Sequence, residues 1–109
     1  MTQFDDRKKA QEAKFARDGE LMFKAVARRN KLIGMWAAVK MGLSGAEAEA
    51  YAKSVVVADF ERPGHDDVVE KLLADLQPHD NSITEAAVRR QMDVMLEEAQ
   101  KQLLQENAG

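Results

Sequence analysis

Apolar residues recur with the period of an α-helix in four segments of the chain, and short polar stretches separate these segments. The segments span about residues 5–41, 44–60, 66–76 and 83–105. Amphipathic helices that follow one another through short loops usually pack as antiparallel neighbours. The pattern therefore predicts an all-α fold, a four-helix bundle-like domain.

Residues with known preferences for helix ends mark the predicted boundaries. Gly42 follows the first segment, where a glycine can end a helix. Ser44 with Glu47, and Ser82 with Glu85, each have the three-residue spacing of a capping box. These pairs predict the starts of the second and fourth helices.

Composition supports the helical interpretation. The chain of 109 residues has 17 alanines, against 13 residues of Val, Ile or Thr, and alanine has the highest helix propensity. Three successive valines at 55–57 have strand propensity, but the pattern predicts no second strand to pair with them. We therefore expect these valines within the second helix.

The first segment is about 37 residues long, which exceeds an ordinary globular helix. Gly19, beside Asp18, is the expected weak point, because glycine costs ~1 kcal/mol relative to alanine inside a helix. This divides the chain into an N-terminal arm, residues 1–18, and a globular four-helix domain, residues 19–109. The arm is expected to be mobile and able to extend the first helix.

The remainder of the first helix has two distinct faces on a helical wheel. The narrower face carries Ala27, Gly34 and Ala38, which predicts either close packing on the second or fourth helix or, less favoured, a groove for a partner. Trp36 is expected to anchor the bundle on the broader face. The residues of that predicted core face are Leu21, Met22, Ala25, Val26, Leu32, Ile33, Trp36 and Val39.

Arg29 falls inside the apolar arc, where a charge must find a partner. Residues 1–40 have a net charge of +5 and residues 41–109 a net charge of −8, within a total of −3. One interpretation is an internal ion pair between Arg29 and the acidic part of the chain. The other is an anion site formed with Arg28 and Lys31.

The arm has few large apolar side chains, but two of them share a helical face. Phe4 and Phe15 are eleven residues apart and lie on one side of a helix. Burying both would stabilise a docked arm by about 3–6 kcal/mol, whereas ordering about 15 residues costs ~1 kcal/mol or more each. We therefore expect the arm to fray when free and to become helical inside a partner's groove. The alternative is a charged terminus without a role.

Catalytic and metal-binding chemistry has little support. The chain has no cysteine and only two histidines, His65 and His79. A helix between the histidines would hold them about 21 Å apart, too far to share an ion. We therefore predict no enzyme, no metal and no cofactor. The negative total charge, and aromatic residues that are not interleaved with the basic clusters for stacking, argue against nucleic acid. The small apolar face of the arm argues against membrane insertion.

The sequence resembles the zeta subunit, the ATPase inhibitor family of alphaproteobacterial F-type ATP synthases. The resemblance is carried by FDDRKKAQEAKFARDGELMFKAVARRNKLIGMWAA near the start, by GLSGAEAEAYAKSVVVADFERPG, and by the residues around Arg89, Arg90 and Met92. It covers nearly the whole chain. It implies a helical domain whose arm inserts at a catalytic alpha/beta interface of F1, reaches the central gamma stalk and blocks ATP hydrolysis.

The resemblance also implies where the partners bind. Alpha, beta and gamma subunits of F1 are the expected partners, with a location in the cytoplasm, peripheral to the inner membrane through ATP synthase. Weak binding of adenine nucleotide near Arg28 and Arg29 is a further possibility that the resemblance raises. A non-inhibitory helical adaptor or assembly protein is the alternative, with a nucleic-acid binder less favoured. The predicted partner-binding residues are Phe4, Asp5, Asp6, Arg7, Lys8, Lys9, Gln11, Glu12, Lys14, Phe15 and Arg17.

Overall fold

A computed structural model describes residues 13–108 of the chain, with side chains described through residue 106. Residues 13–17 are helical, and no strand occurs within the described range. The all-α class is therefore confirmed, and the valines at 55–57 lie in a helix. The four long helices are α1, Gly19–Lys40, α2, Gly45–Glu61, α3, His65–Leu76, and α4, Glu85–Ala108.

The first predicted segment breaks at Asp18, next to the glycine that was the expected weak point. Asp18 has an extended backbone, and its side chain accepts a hydrogen bond of 3.0 Å from the Leu21 amide. An aspartate in this position satisfies one of the free amides at a helix start. Residues 13–17 thus belong to a helix that is separate from α1.

The end of α1 follows the prediction at Gly42. Gly42 has a φ of +79°, and the Leu43 amide donates to the Ala38 carbonyl at 2.9 Å. This hydrogen bond closes the last turn of α1 around a residue in the left-handed region, which glycine adopts without steric cost.

Neither predicted capping box forms. Ser44 precedes α2, but its side chain makes no capping hydrogen bond. Ser82 instead donates to Asp80 through both its amide and its hydroxyl. Thr84 accepts from the Ala87 amide at 3.1 Å and caps α4 in its place, so α4 begins two residues later than predicted. The local turn around Asp80 takes Ser82 away from the helix start.

The main core joins α1, α2, α3 and α4. Trp36 only packs against its edge, and the Lys40 ammonium lies 5.1 Å from the Trp36 ring centroid. The expectation that Trp36 anchors the bundle is therefore wrong. The buried side chains of this main core are Ile33, Ala37, Val55, Val68, Val69, Leu72, Leu76, Val88 and Met92.

Val39 was also assigned to the core face, and this too is wrong, because its side chain is 70% exposed. On a helical wheel, the direction midway between the buried residues Ile33 and Ala37 points from α1 into the main core. At ~100° per residue, Trp36 lies about 80° and Val39 about 140° from that direction. The predicted arc was too wide for the surface that the neighbouring helices cover.

The narrow face of α1 packs closely on α2, as the favoured interpretation predicted. A Cβ added to Gly34 would lie 2.7 Å from the Ala52 Cα atom, closer than real Cβ contacts. Ala38 is fully buried and Ala27 is half-buried on the same face. The small residues therefore bring the two backbones together.

Candidate functional site

Most of the predicted arm contacts lie outside the described residues. These are Phe4, Asp5, Asp6, Arg7, Lys8, Lys9, Gln11 and Glu12. Lys14, Phe15 and Arg17 are described, in the helical turn before Asp18. Structural evidence on the arm therefore concerns only the part that adjoins the globular domain.

Phe15 is fully buried against the protein's own helices. It packs with Leu21 and Ala25 of α1 and with Leu103 of α4. We call these three residues, with the partly buried Met22, Leu96 and Leu104 around them, the arm seat. The arm seat is separate from the main core and lies where the end of α4 crosses the start of α1.

The expectation that the apolar side chains of the arm stay off the globular domain is wrong for Phe15. The estimate assumed that about 15 residues must be ordered to bury two phenylalanines. Burial of Phe15 alone does not involve Phe4, and Phe15 lies only four positions before Gly19, where α1 begins; the Asp18 amide donates to the Lys14 carbonyl at 3.2 Å. Fewer residues lose conformational freedom, so the entropic cost of burial is smaller.

The two described cations of the arm face solvent. Lys14 and Arg17 are exposed, and the Arg17 Nε atom donates to the Ala13 carbonyl of its own turn at 3.3 Å. They flank the buried Phe15 in sequence. In this arrangement the charges of the turn are accessible while its large apolar side chain is not.

An ion pair holds the end of α4 beside the arm seat. The Arg28 Nη2 atom donates to Glu106 Oε1 at 3.0 Å, Nη1 contacts Oε2 of the same carboxylate, and Nη1 also donates to Gln102 at 3.4 Å. The hydrogen bonds raise the pKa of Arg28 and lower that of the Glu106 carboxyl. Because Gln102 and Glu106 flank Leu103, these contacts position Leu103 over Phe15.

Arg29, by contrast, is buried inside the domain. Its Nε and Nη2 atoms donate to Asn30 Oδ1 at 3.1 and 2.8 Å, and Asn30 donates to Asp59 at 3.0 Å. The third contact joins Nη1 to the His65 Nδ1 atom at 2.5 Å. Burial lowers the pKa of Arg29, while the charges of Asp59 and Asp93 raise it. The predicted ion pair is thus wrong in its geometry: among the described contacts Arg29 meets no carboxylate directly, and Asn30 links it to Asp59.

The side chains of Arg28 and Arg29 thus contact different helices. Arg28 reaches the end of α4, and Arg29 lies between α1 and the start of α3. Lys31 is exposed. The two guanidinium groups therefore do not face one common site. The anion or nucleotide contact stays a prediction.

The sequence interpretation missed an exposed aromatic pair on the opposite side of α1. Phe23 and Phe60 are each 57% exposed, and their ring centroids lie 5.4 Å apart in an edge-on arrangement. They border a cavity of about 170 Å³ between α1 and α2. The signal was present in the helical wheel, because Phe23 lies about 180° from the midpoint of Leu21 and Ala25.

Two general features of the described residues bear on the class of site. Within the part of the chain that the structure describes, no group of three histidine, aspartate or glutamate side chains could hold a metal ion. None of the described helices combines the length and the apolar character that a membrane span requires.

Comparison with known proteins gives the family. The family model "ATPase inhibitor subunit zeta" matches residues 1–102. A solution NMR structure is 49% identical in sequence to this chain, with a TM-score of 0.69, and the similarity covers 79% of this chain and 98% of that one. No curated protein matches significantly. The match of the family model over nearly the whole chain shows that this protein belongs to the ATPase inhibitor subunit zeta family.

Proposed function

We propose that the protein inhibits ATP hydrolysis by F-type ATP synthase by inserting residues 1–18 as a helix at a catalytic alpha/beta interface of F1. Membership of an ATPase inhibitor family supports the inhibitory role. The family also implies association with ATP synthase, which would place the protein in the cytoplasm beside the inner membrane. The gamma subunit is the third partner that this proposal includes.

The observation that carries the proposal is that residues 13–17 are helical and that only the extended backbone of Asp18 interrupts the helix between them and α1. If the backbone at Asp18 becomes helical, these residues and α1 form one rod. A helix over residues 5–40 would be about 54 Å long at 1.5 Å per residue. Such a rod would carry the arm away from the globular domain and into a cleft.

Insertion requires Phe15 to leave the arm seat. In the free protein Phe15 contacts Leu21, Ala25 and Leu103. The cleft of F1 must therefore offer a pocket that buries at least as much of the Phe15 ring. Phe4 would occupy a second pocket on the same side of the helix. Cationic side chains of the arm would then pair with acidic groups of the enzyme, and those cations are Arg7, Lys8, Lys9, Lys14 and Arg17.

A truncation tests the proposal directly. Deleting residues 1–17 should abolish inhibition of ATP hydrolysis by isolated F1, because it removes both phenylalanines and all five cations of the arm. Circular dichroism should show that α1 to α4 remain helical. Equal inhibition by the truncated and the full-length protein would refute the proposal.

A matched pair of substitutions sharpens the test. Phe4→Ala should weaken inhibition, because it empties one of the two proposed pockets. Phe23→Ala makes the same chemical change at an exposed position of α1 and should leave inhibition by the arm unchanged. Equal losses from both substitutions would contradict an arm-specific mechanism.

The exposed pair Phe23 and Phe60 favours one alternative, a helical adaptor that binds a partner through its globular domain. That function predicts that the protein lacking residues 1–17 still binds F1 in a pull-down and that the full-length protein leaves the turnover of F1 unchanged. Measuring turnover and binding on the same samples separates the adaptor from the inhibitor.

A further inference from the structure

A single contact attaches the first residue of α3 to the buried arginine of α1. His65 begins α3, and its Nδ1 atom lies 2.5 Å from the Arg29 Nη1 atom. A guanidinium group has only donors. The His65 Nδ1 atom must therefore be the acceptor, which requires the neutral ring with its proton on Nε2.

Protonation of His65 is incompatible with this contact. The imidazolium form carries a hydrogen on both ring nitrogens, so two donors and two positive charges would meet. Arg29 is 1% exposed and would lose the acceptor of its Nη1 atom. The His65 ring lies at the surface of the protein, so it can turn into solvent when it gains a proton.

Charged groups face His65 from every helix around it. Arg29 comes from α1, Asp59 from α2, Asp66 from α3 itself, and Arg89 and Asp93 from α4. Burial and the charge of Arg29 lower the pKa of His65, whereas Asp59, Asp93 and Asp66 raise it. The net direction is down, so the folded protein favours the neutral ring.

The remaining contacts of the turn before α3 are weak. The Gly64 amide donates to Asp59 at 3.4 Å, and Arg89 donates to Asp66 at 2.8 Å on the exposed surface. The first turn of α3 has no side-chain cap. Among the described side-chain contacts of this turn, only the His65 contact is short and reaches a buried group, so its loss would loosen the turn.

We propose that His65 is a pH-sensitive link in this fold: a proton on Nδ1 breaks its contact with Arg29 and loosens the turn between α2 and α3. The proposal concerns the globular domain and does not depend on the inhibitory role of the arm. The contact of neutral His65 with Arg29 stabilises the fold fully above the pKa of histidine in the unfolded chain. This stabilisation is lost as the pH falls below about 6.5.

Urea unfolding at pH 7.5 and pH 5.5 tests the proposal with two matched variants. His65→Asn keeps an acceptor for Arg29, because Asn Oδ1 stands in for Nδ1, but it does not titrate. His79→Asn makes the same change in the exposed loop after α3. The wild type and His79→Asn should become easier to unfold between these pH values, by a factor of up to about ten in the unfolding constant. His65→Asn should show a clearly smaller change.

This pH window avoids the other shifted groups. Asp80 and Glu106 have carboxyl pKa values held below their usual range. Their stabilisation is lost only as the pH falls through the acidic range near 4 and below. An equal pH effect in the wild type and in His65→Asn would overturn the proposal.

An NMR titration of the wild type keeps the proposal testable if His65→Asn folds poorly. The ring resonances of His65 should titrate below pH 6.5. The amide protection factors of residues 64–68, which correct for the intrinsic slowing of exchange in acid, should fall along the same titration, and more than those of residues 72–76. Titration of His65 at or above pH 6.5, or protection factors at residues 64–68 that do not fall with it, would overturn the proposal.

Discussion

The main core and the arm seat are built differently, although both are apolar clusters that rest on α1. The main core takes buried side chains from all four long helices, among them Val55, Leu72 and Val88. The arm seat joins the start of α1 and the end of α4, and it is completed by Phe15 from the helical residues before Asp18. We therefore expect the arm seat to open without disturbing the main core, whereas opening of the main core should unfold all four helices.

Leu72→Ala should have the largest effect on stability. Leu72 is fully buried in the main core, and deleting such a side chain costs about 3–5 kcal/mol through lost burial and the cavity that remains. Urea unfolding followed by circular dichroism measures this. Val39→Ala, at a 70% exposed position, is the control and should change stability little. A loss below about 1 kcal/mol for Leu72→Ala would show that the main core is not the stabilising unit.

Gly34→Val should be the next most damaging change. Its Cβ would lie 2.7 Å from the Ala52 backbone, so α1 and α2 must move apart, at a cost of about 2–3 kcal/mol for such overpacking. Thermal unfolding measures the loss. Gly19→Val is the comparison, since a Cβ there meets nothing within 4 Å. Equal stability of both variants would contradict the close approach of the two helices.

Leu103→Ala should have the smallest effect on the whole domain and the clearest local one. It removes the α4 side chain over Phe15 and should cost about 2 kcal/mol, at the low end for buried leucines near a surface. Hydrogen exchange at the Asp18 amide, which donates to the Lys14 carbonyl, should increase about tenfold or more, the factor that 1.4 kcal/mol corresponds to. Exchange at residues 68–72 should change far less. Uniform acceleration over the chain would show that the arm seat and the main core are one cooperative unit.

Local sequence signals predicted the helices and their breaks well. Asp18 and Gly19 mark the end of the arm turn, and Gly42 ends α1 with the positive φ that its position requires. The same signals failed at Ser82, where a serine, a threonine and an aspartate compete within five residues and Thr84 becomes the cap. The sequence pattern identifies which residue types can cap a helix, but the turn conformation selects one of them.

Contacts between helices were predicted only where small residues on one helix face indicate that another backbone lies close. Gly34 with Ala27 and Ala38 indicated a close approach, and α2 occupies it. The burial of Phe15 was not predicted, because it depends on where the end of α4 crosses α1. The partnership of Arg29 with His65, 36 positions away in sequence, was missed for the same reason.

The amino-acid sequence alone determined the all-helical class, the break near Asp18 and the small-residue face of α1, because helix periodicity and glycine conformation are local properties of the chain. Only the tertiary structure decided that Phe15 packs on α1 and α4, that Trp36 lies at the edge of the main core and that His65 meets Arg29. Such pairings depend on which helix faces meet, and helix packing brings together residues that are distant in sequence.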